Sequence, residues 1–228
     1  MARFSKARRV WGLSDAREGA GFFYTDRVAV LKDQHSVQRY LRALPAMGIA
    51  IPEKPEWILP ADKTCSAIPE NMPFVVIHPF SRGAGKSLDN ECLDAFLATF
   101  RTHSNALCVL VGAGDYSREN DAGFLNLLNR TTLAELTDIL RRASFVVSVD
   151  SGPMHLAAAL GTPLLSIHTW SDPRRVGPFS EKAWIWQGGE IRTQNLTTPP
   201  LAEKSFTPKE AIEAAKLAAS AVLSAPQR

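Results

Sequence analysis

Ser144-Phe145-Val146-Val147-Ser148-Val149-Asp150-Ser151-Gly152-Pro153-Met154-His155-Leu156-Ala157-Ala158-Ala159-Leu160-Gly161-Thr162-Pro163 reads as strand, turn and helix in immediate succession. Ser144 to Val149 is apolar and β-branched, the pattern of a strand buried in a parallel sheet. Met154 to Leu160 consists of good helix formers. Asp150-Ser151-Gly152 is therefore a tight turn at the carboxyl end of a strand. Pro153 suits the first helical position, where its missing N–H costs nothing. Gly161 ends the helix, and Thr162 to His168 starts the next strand. The whole is a strand–helix–strand unit of an α/β protein.

Such a turn leaves backbone N–H groups free at the head of a helix, where they favour an anion, typically a phosphate. Gly152 lets a phosphate approach the main chain closely. His155 lies about one turn into the helix, within reach of the same anion. Asp150 repels phosphate, so its expected role is to orient the turn or to bond a hydroxyl. The plainer alternative is a capped helix with a packed histidine. Asp-Ser-Gly alone favours that alternative; the full run through Met154-His155 and the alanines favours a site.

Outward from this unit the same grammar repeats. Phe74-Val75-Val76-Ile77-His78-Pro79 is a strand, and Ser81-Arg82-Gly83-Ala84-Gly85-Lys86-Ser87 follows it as a phosphate-facing loop. Its glycine spacing is not that of a Walker A loop. Asp89 caps an amphipathic helix through Phe100. Ala106 to Gly112 is a second buried strand, and Asp115 and Glu119 stand beyond its carboxyl end. Phe124 to Leu128 reads as a short strand. Thr132 with Glu135 is a capping box for the helix from Leu133. After the central unit, Ala183 to Gln187 alternates as a final strand. Residues 188–206 read as a polar loop, and Thr207 caps a helix from Pro208 to Leu223. On the N-terminal side, Arg8 to Gly12 suits a short strand, and Gln34 to Leu44 has helical spacing at Val37, Tyr40, Leu41 and Leu44. Residues 51–72 hold Pro52, Pro55, Pro60 and Pro69 without any period, as a linker does.

Composition bounds the function classes. The 228 residues carry a net charge of +3 and 45% hydrophobic residues, ordinary for a globular protein and no sign of nucleic-acid binding. No apolar run has the length of a membrane span. The basic start, Met1 to Lys6, has no apolar core, so no signal peptide is expected. Cys65, Cys92 and Cys108 lack metal spacing and read as reduced thiols.

The run Asp150 to Pro163 resembles the signature of glycosyltransferase family nine, the ADP-heptose:lipopolysaccharide heptosyltransferases. Ser171-Asp172-Pro173-Arg174-Arg175-Val176-Gly177-Pro178-Phe179 resembles that family's next loop. The resemblance implies a GT-B fold, with a Rossmann-like parallel-sheet C-terminal domain at 73–228, a linker at 51–72 and an incomplete N-terminal, acceptor-side domain at 1–50. It implies inverting transfer of a heptose or related sugar from an ADP-sugar donor to a lipopolysaccharide-core or other glycan acceptor, with no metal and no cofactor. Lys86 occupies the place of the family's phosphate-binding lysine. Donor contacts are expected from Lys86, Asp150, Ser151, Gly152 and His155, with Arg82 on the lysine loop, Thr131 at the adenine pocket, and Asp115 or Glu119 at the ribose. The family's catalytic base, a carboxylate near the start of the N-terminal domain, is expected upstream of this chain. Asp15 and Glu18 are available, but a loop acid paired with Arg17 is the simpler reading. Many relatives carry Phe-Gly-x-Thr where His168-Thr169-Trp170-Ser171 stands, and many carry Gly where Asn129 stands. The implied location is cytoplasmic, with room for peripheral association at the inner face of the cytoplasmic membrane. Two alternatives stay open: a truncated, inactive nucleotide-sugar-binding module, and a GT-B protein resembling UDP-sugar epimerases.

Overall fold

The computed structural model describes residues 7–53, 55–59 and 63–224. The basic run Met1 to Lys6 and Pro60 of the expected linker lie outside the described residues. The chain forms two compact units, Met1–Glu56 with Arg174–Val176, and Trp57–Pro173 with Gly177–Arg228.

In the first unit, β1 (Trp11–Leu13) and β2 (Asp26–Val28) pair in parallel. The strand expected at Arg8 to Gly12 thus starts later, and it pairs with a strand that has no clear sequence signal. Gly12 is required because a Cβ there would sit 1.9 Å from the Tyr24 ring. Two short helices follow, α1 (Ser36–Leu41) and α2 (Ala43–Ala46). Asp15 pairs with Arg39 of α1 rather than with Arg17. Both partners are 15% exposed at the side chain, whereas Arg17 is exposed. A mostly buried carboxylate takes the cation that is buried with it.

The second unit is a seven-stranded sheet in the order β5-β4-β3-β6-β7-β8-β9. Its strands are β3 (Phe74–His78), β4 (Leu107–Leu110), β5 (Phe124–Asn126), β6 (Phe145–Val149), β7 (Leu164–Ile167), β8 (Ala183–Gln187) and β9 (Glu190–Thr193). All pair in parallel except β8 with β9. The chain enters the sheet at β3, steps outward to β4 and β5, then returns to β6 on the other side of β3. The β3/β6 pair, with His78 opposite Ser148, is therefore a topological switch point. Ligands of open α/β sheets bind in the crevice at such a point.

Helices cover both faces. α3 (Asn90–His103) and α7 (Pro208–Ser224) pack on one face over Val75, Ile77 and Val147. α4 (Leu133–Arg142) and α5 (Gly152–Leu160) pack on the other over Phe74, Val76 and Val146. Successive strand residues alternate between these layers, so one unbroken apolar run serves both. Each fully buried Phe, Ile or Leu contributes about 1.5–3 kcal/mol of transfer free energy. The short helix α6 (Pro173–Val176) follows β7.

The caps read from the sequence are present. Asp89 accepts from the Cys92 N–H at 2.8 Å, and Thr132 with Glu135 forms the capping box. Ala183 to Gln187 is not the final strand. Gly188 and Gly189, at φ 62° and 95°, turn the chain back into β9, inside the stretch expected to be a polar loop. The Gly-Gly pair between two alternating runs was the available hairpin signal. Cys65, Cys92 and Cys108 are buried and unpaired. No helix among the described residues is long and apolar enough to cross a membrane.

At the start of α7, Glu210 accepts from the Thr207 N–H at 3.2 Å and from Lys204 at 2.9 Å, and the Thr207 hydroxyl donates to it as well. Burial alone would raise its carboxyl, but these donors outweigh it and hold the group at about 2 against an ordinary 4.5. A folded-state value below the unfolded one gives stability that is present above pH 4.5 and lost as pH falls toward about 2. Glu210→Gln should remove this part of the acid-side loss, read as a shallower fall of the urea-unfolding free energy across that range.

Candidate functional site

The switch point joins two loops. The Gly-rich loop after β3 carries Lys86, and the turn after β6 carries Asp150. Lys86 Nζ lies 2.6 Å from Asp150 Oδ2, with the side chains 20% and 9% exposed. Burial pushes the Asp150 carboxyl up, but the Lys86 ammonium together with neighbouring polar groups outweighs it, and the group stays below its ordinary value. The lysine loop is fastened along its length. The Ser81 N–H donates to Ser87 Oγ at 3.0 Å, and Ser81 Oγ donates to the Asp150 carbonyl at 3.4 Å. Thr169 Oγ1 donates to the Gly85 carbonyl at 2.9 Å. Trp170 Nε1 donates to the Ala84 carbonyl at 3.3 Å, and its ring centroid lies 4.7 Å from Lys86 Nζ.

Ser151 holds the N-cap position of α5 but makes no capping hydrogen bond. Its hydroxyl lies instead 3.1 Å from His78 Nδ1 and 3.2 Å from Ser148 Oγ. The capped-helix alternative therefore does not describe this turn. A Cβ added at Gly152 would meet nothing within 4 Å, so the head of α5 faces open space. His155 stands exposed one turn on. His78 is buried, and desolvation brings its imidazole down to about 4, neutral at physiological pH. It fits only because residue 112 is glycine: Gly112 has φ 119°, and a Cβ there would lie 2.8 Å from the His78 ring.

An ammonium, an uncapped helix head and a near-by histidine on one edge can hold an anion. The structure thus brings together Lys86, Asp150, Ser151, Gly152 and His155. The other candidates lie around them. Arg82 is exposed on the lysine loop, and Thr131 is half-buried just before the capping box. Asp115 and Glu119 are both exposed beyond β4. Glu119 lines a cavity of about 310 Å³ with Tyr116, Arg118, Asn126 and Arg130. Asn129 adopts φ 58° and grips Gly114 at both ends, donating to its carbonyl at 2.8 Å and accepting from its N–H at 3.3 Å. Among the described residues no group of three or more His, Cys, Asp or Glu forms a metal set.

A family model described as glycosyltransferase family 9 (heptosyltransferase) matches residues 1–204. The chain belongs to glycosyltransferase family 9. It is similar to lipooligosaccharide heptosyltransferase 2 of Haemophilus influenzae, at 39% identity over 61 residues, which span 27% of this chain and 18% of that protein. The family 9 glycosyltransferase of Veillonella parvula superposes with TM-score 0.69 at 15% identity, covering 98% of this chain and 70% of that one. The E. coli heptosyltransferase WaaC with ADP-2-deoxy-2-fluoro heptose superposes with TM-score 0.58 at 19% identity, covering 85% and 59%. These likenesses show a shared fold, GT-B-like with a mostly parallel central sheet.

Within this family 9 chain, sequence reasoning missed three residues that shape the site. His78 sits at the last position of an apolar strand, where an imidazole is out of pattern. In the sequence His168 and Trp170 stand out only as departures from the loop that the resemblance implies. Gly112→Ala should destabilise the chain by about 1–3 kcal/mol, measured by denaturant unfolding, because the left-handed backbone strains any Cβ and the His78 ring must move.

Proposed function

We propose that the second unit binds an ADP-sugar donor and that the chain serves transfer of a heptose or related sugar to a lipopolysaccharide-core or other glycan acceptor. The observation that carries this reading is the Lys86 ammonium, 2.6 Å from Asp150 beside the uncapped head of α5. Transfer from a nucleotide sugar expels a nucleoside diphosphate, and fixed positive charge where that anion develops lowers the barrier. Lys86 is the point-charge partner of the diphosphate. The Ser151 and Gly152 backbone supplies amides, and His155 reaches the same anion. Asp150 holds the lysine and is placed to accept from a donor hydroxyl. Arg82, Thr131, Asp115 and Glu119 form the outer ring of donor contacts.

In this reading, residues 73–228 are the donor domain, 51–72 the linker and 1–50 part of the acceptor side. Transfer is inverting and needs no metal, and the protein works in the cytoplasm at the inner face of the membrane. Asp15 is committed to Arg39 and is not assigned as the base. Support comes from family 9 membership and from the fold shared with a relative whose printed description names an ADP-heptose analogue.

Calorimetric titration with ADP tests the donor site. Lys86→Ala should weaken ADP by about ten- to hundredfold, the loss of one charge-assisted contact, and His155→Ala should weaken it less. UDP should bind more weakly than ADP. Native affinity in both variants would sink the assignment. ADP binding without sugar transfer to a core acceptor would favour a binding module over a transferase.

A further inference from the structure

β6 lies between β3 and β7 in the sheet, yet the loops that leave the two outer strands meet across its end. Trp170, on the loop after β7, is one of the residues that join them. Its Nε1 donates to the Ala84 carbonyl at 3.3 Å, and its ring centroid lies 4.7 Å from Lys86 Nζ. An ammonium within about 6 Å of an indole centroid is attracted by the ring quadrupole. Gly85, at φ 72°, brings the loop against the indole: a Cβ there would lie 3.9 Å from Trp170 Nε1. A Cβ at Gly83 would lie 3.1 Å from Lys86 Cδ, so the lysine stem runs close along its own loop. The ammonium at its tip then has two holders, the Asp150 carboxylate at 2.6 Å and the Trp170 ring.

The two holders differ in what they leave of the charge. Asp150 attracts the ammonium but offsets its field, and an arriving anion must compete with that carboxylate. A ring face orients the ammonium and carries no net charge of its own, so it does not cancel the field that an anion meets. Packing does not account for the indole's place, since it is left 47% exposed. Its N–H and its ring both engage the lysine loop instead.

We propose that Trp170 is a positioning residue for the donor site: its ring and its Nε1–H bond to Ala84 hold the Lys86 ammonium before the head of α5 while leaving its charge free for the diphosphate. The proposal rests on the donor reading of the Lys86 loop. When the diphosphate draws the ammonium from Asp150, the ring contact and the loop bond stay in place, so the lysine does not have to be ordered anew.

Two measurements on the full chain test it. In proton–carbon NMR without ligand, the Lys86 ε-methylene, assigned by its loss in Lys86→Ala, should be shifted upfield by the indole. The shift should persist in Trp170→Phe, which keeps a ring, and vanish in Trp170→Leu. A native Lys86 signal with no such shift, or one unmoved by Trp170→Leu, overturns the proposal whatever the chain binds. Calorimetry with ADP should show about tenfold weaker binding for Trp170→Leu, the loss of a ring contact and a loop bond together. Trp170→Phe loses only the loop bond and should stay within about threefold to fivefold of native. In a Lys86→Ala background Trp170→Leu should cost nothing more, because the indole acts through the ammonium. A merely structural role would weaken ADP equally in both backgrounds. Equal losses of that kind, or native ADP affinity in Trp170→Leu, overturn the proposal. If Trp170→Leu fails to fold, the shift in the native chain and in Trp170→Phe decides. If the native chain binds no ADP, the donor reading falls, while the ligand-free shifts still judge whether Trp170 holds the ammonium.

Discussion

A lysine ammonium 2.6 Å from a carboxylate, both largely withdrawn from water, persists only where the surroundings hold the two charges together. Removing one partner of such a pair costs about 3–5 kcal/mol, since the other charge is left stranded. Here the hold comes from sheet topology. β3 and β6 are neighbours because the chain fills one half of the sheet and then crosses to the other. The loops leaving their carboxyl ends have nowhere to go but beside each other. Lys86 and Asp150, far apart in sequence, meet for that reason, and the crevice they share is where an α/β sheet takes its ligands.

Polar groups beneath the pair are arranged so that no second buried charge competes with it. His78 and His168 are both brought to about 4 by burial, so neither adds a cation under an anion site. Each is matched to serine hydroxyls instead. His78 lies against Ser148 and Ser151, and His168 lies between Ser166 and Ser171. Neutral imidazoles satisfy buried hydroxyls in a way that an apolar side chain could not, and unsatisfied hydroxyls at this depth would be costly. Gly112 makes room for His78 in this layer, and Gly114 for the Phe80 ring. A Cβ at Gly114 would fall 2.2 Å from the Phe80 ring, as one at Gly112 would collide with His78.

Family 9 membership and this chain's own chemistry meet at the loop after β7. This chain carries His168-Thr169-Trp170-Ser171 there, where the resemblance implies Phe-Gly-x-Thr. Thr169 and Trp170 bond the carbonyls of Gly85 and Ala84, so this segment tethers the lysine loop from the far side. Asn129 holds its own loop in a similar way. Asn tolerates the left-handed backbone that Gly would take, and its amide adds a two-point grip on Gly114.

The order of strands and helices in the second unit was legible in the sequence because each signal is local. Apolar runs mark strands that are buried on both faces, Asp89 and Thr132 mark helix starts, and Gly161 marks a stop. The expectation of an anion at the turn Asp150-Ser151-Gly152 and the lysine loop is local for the same reason, since glycine placement and helix-head amides are properties of neighbouring residues. What the sequence left open is whatever depends on distant residues meeting. The partner of Asp15, the pairing of Lys86 with Asp150, and the diversion of Ser151 from capping to His78 are all long-range. Each is set by strand order and burial, which no local pattern encodes. Only folding brings these groups within hydrogen-bond distance and removes the water that would otherwise satisfy them.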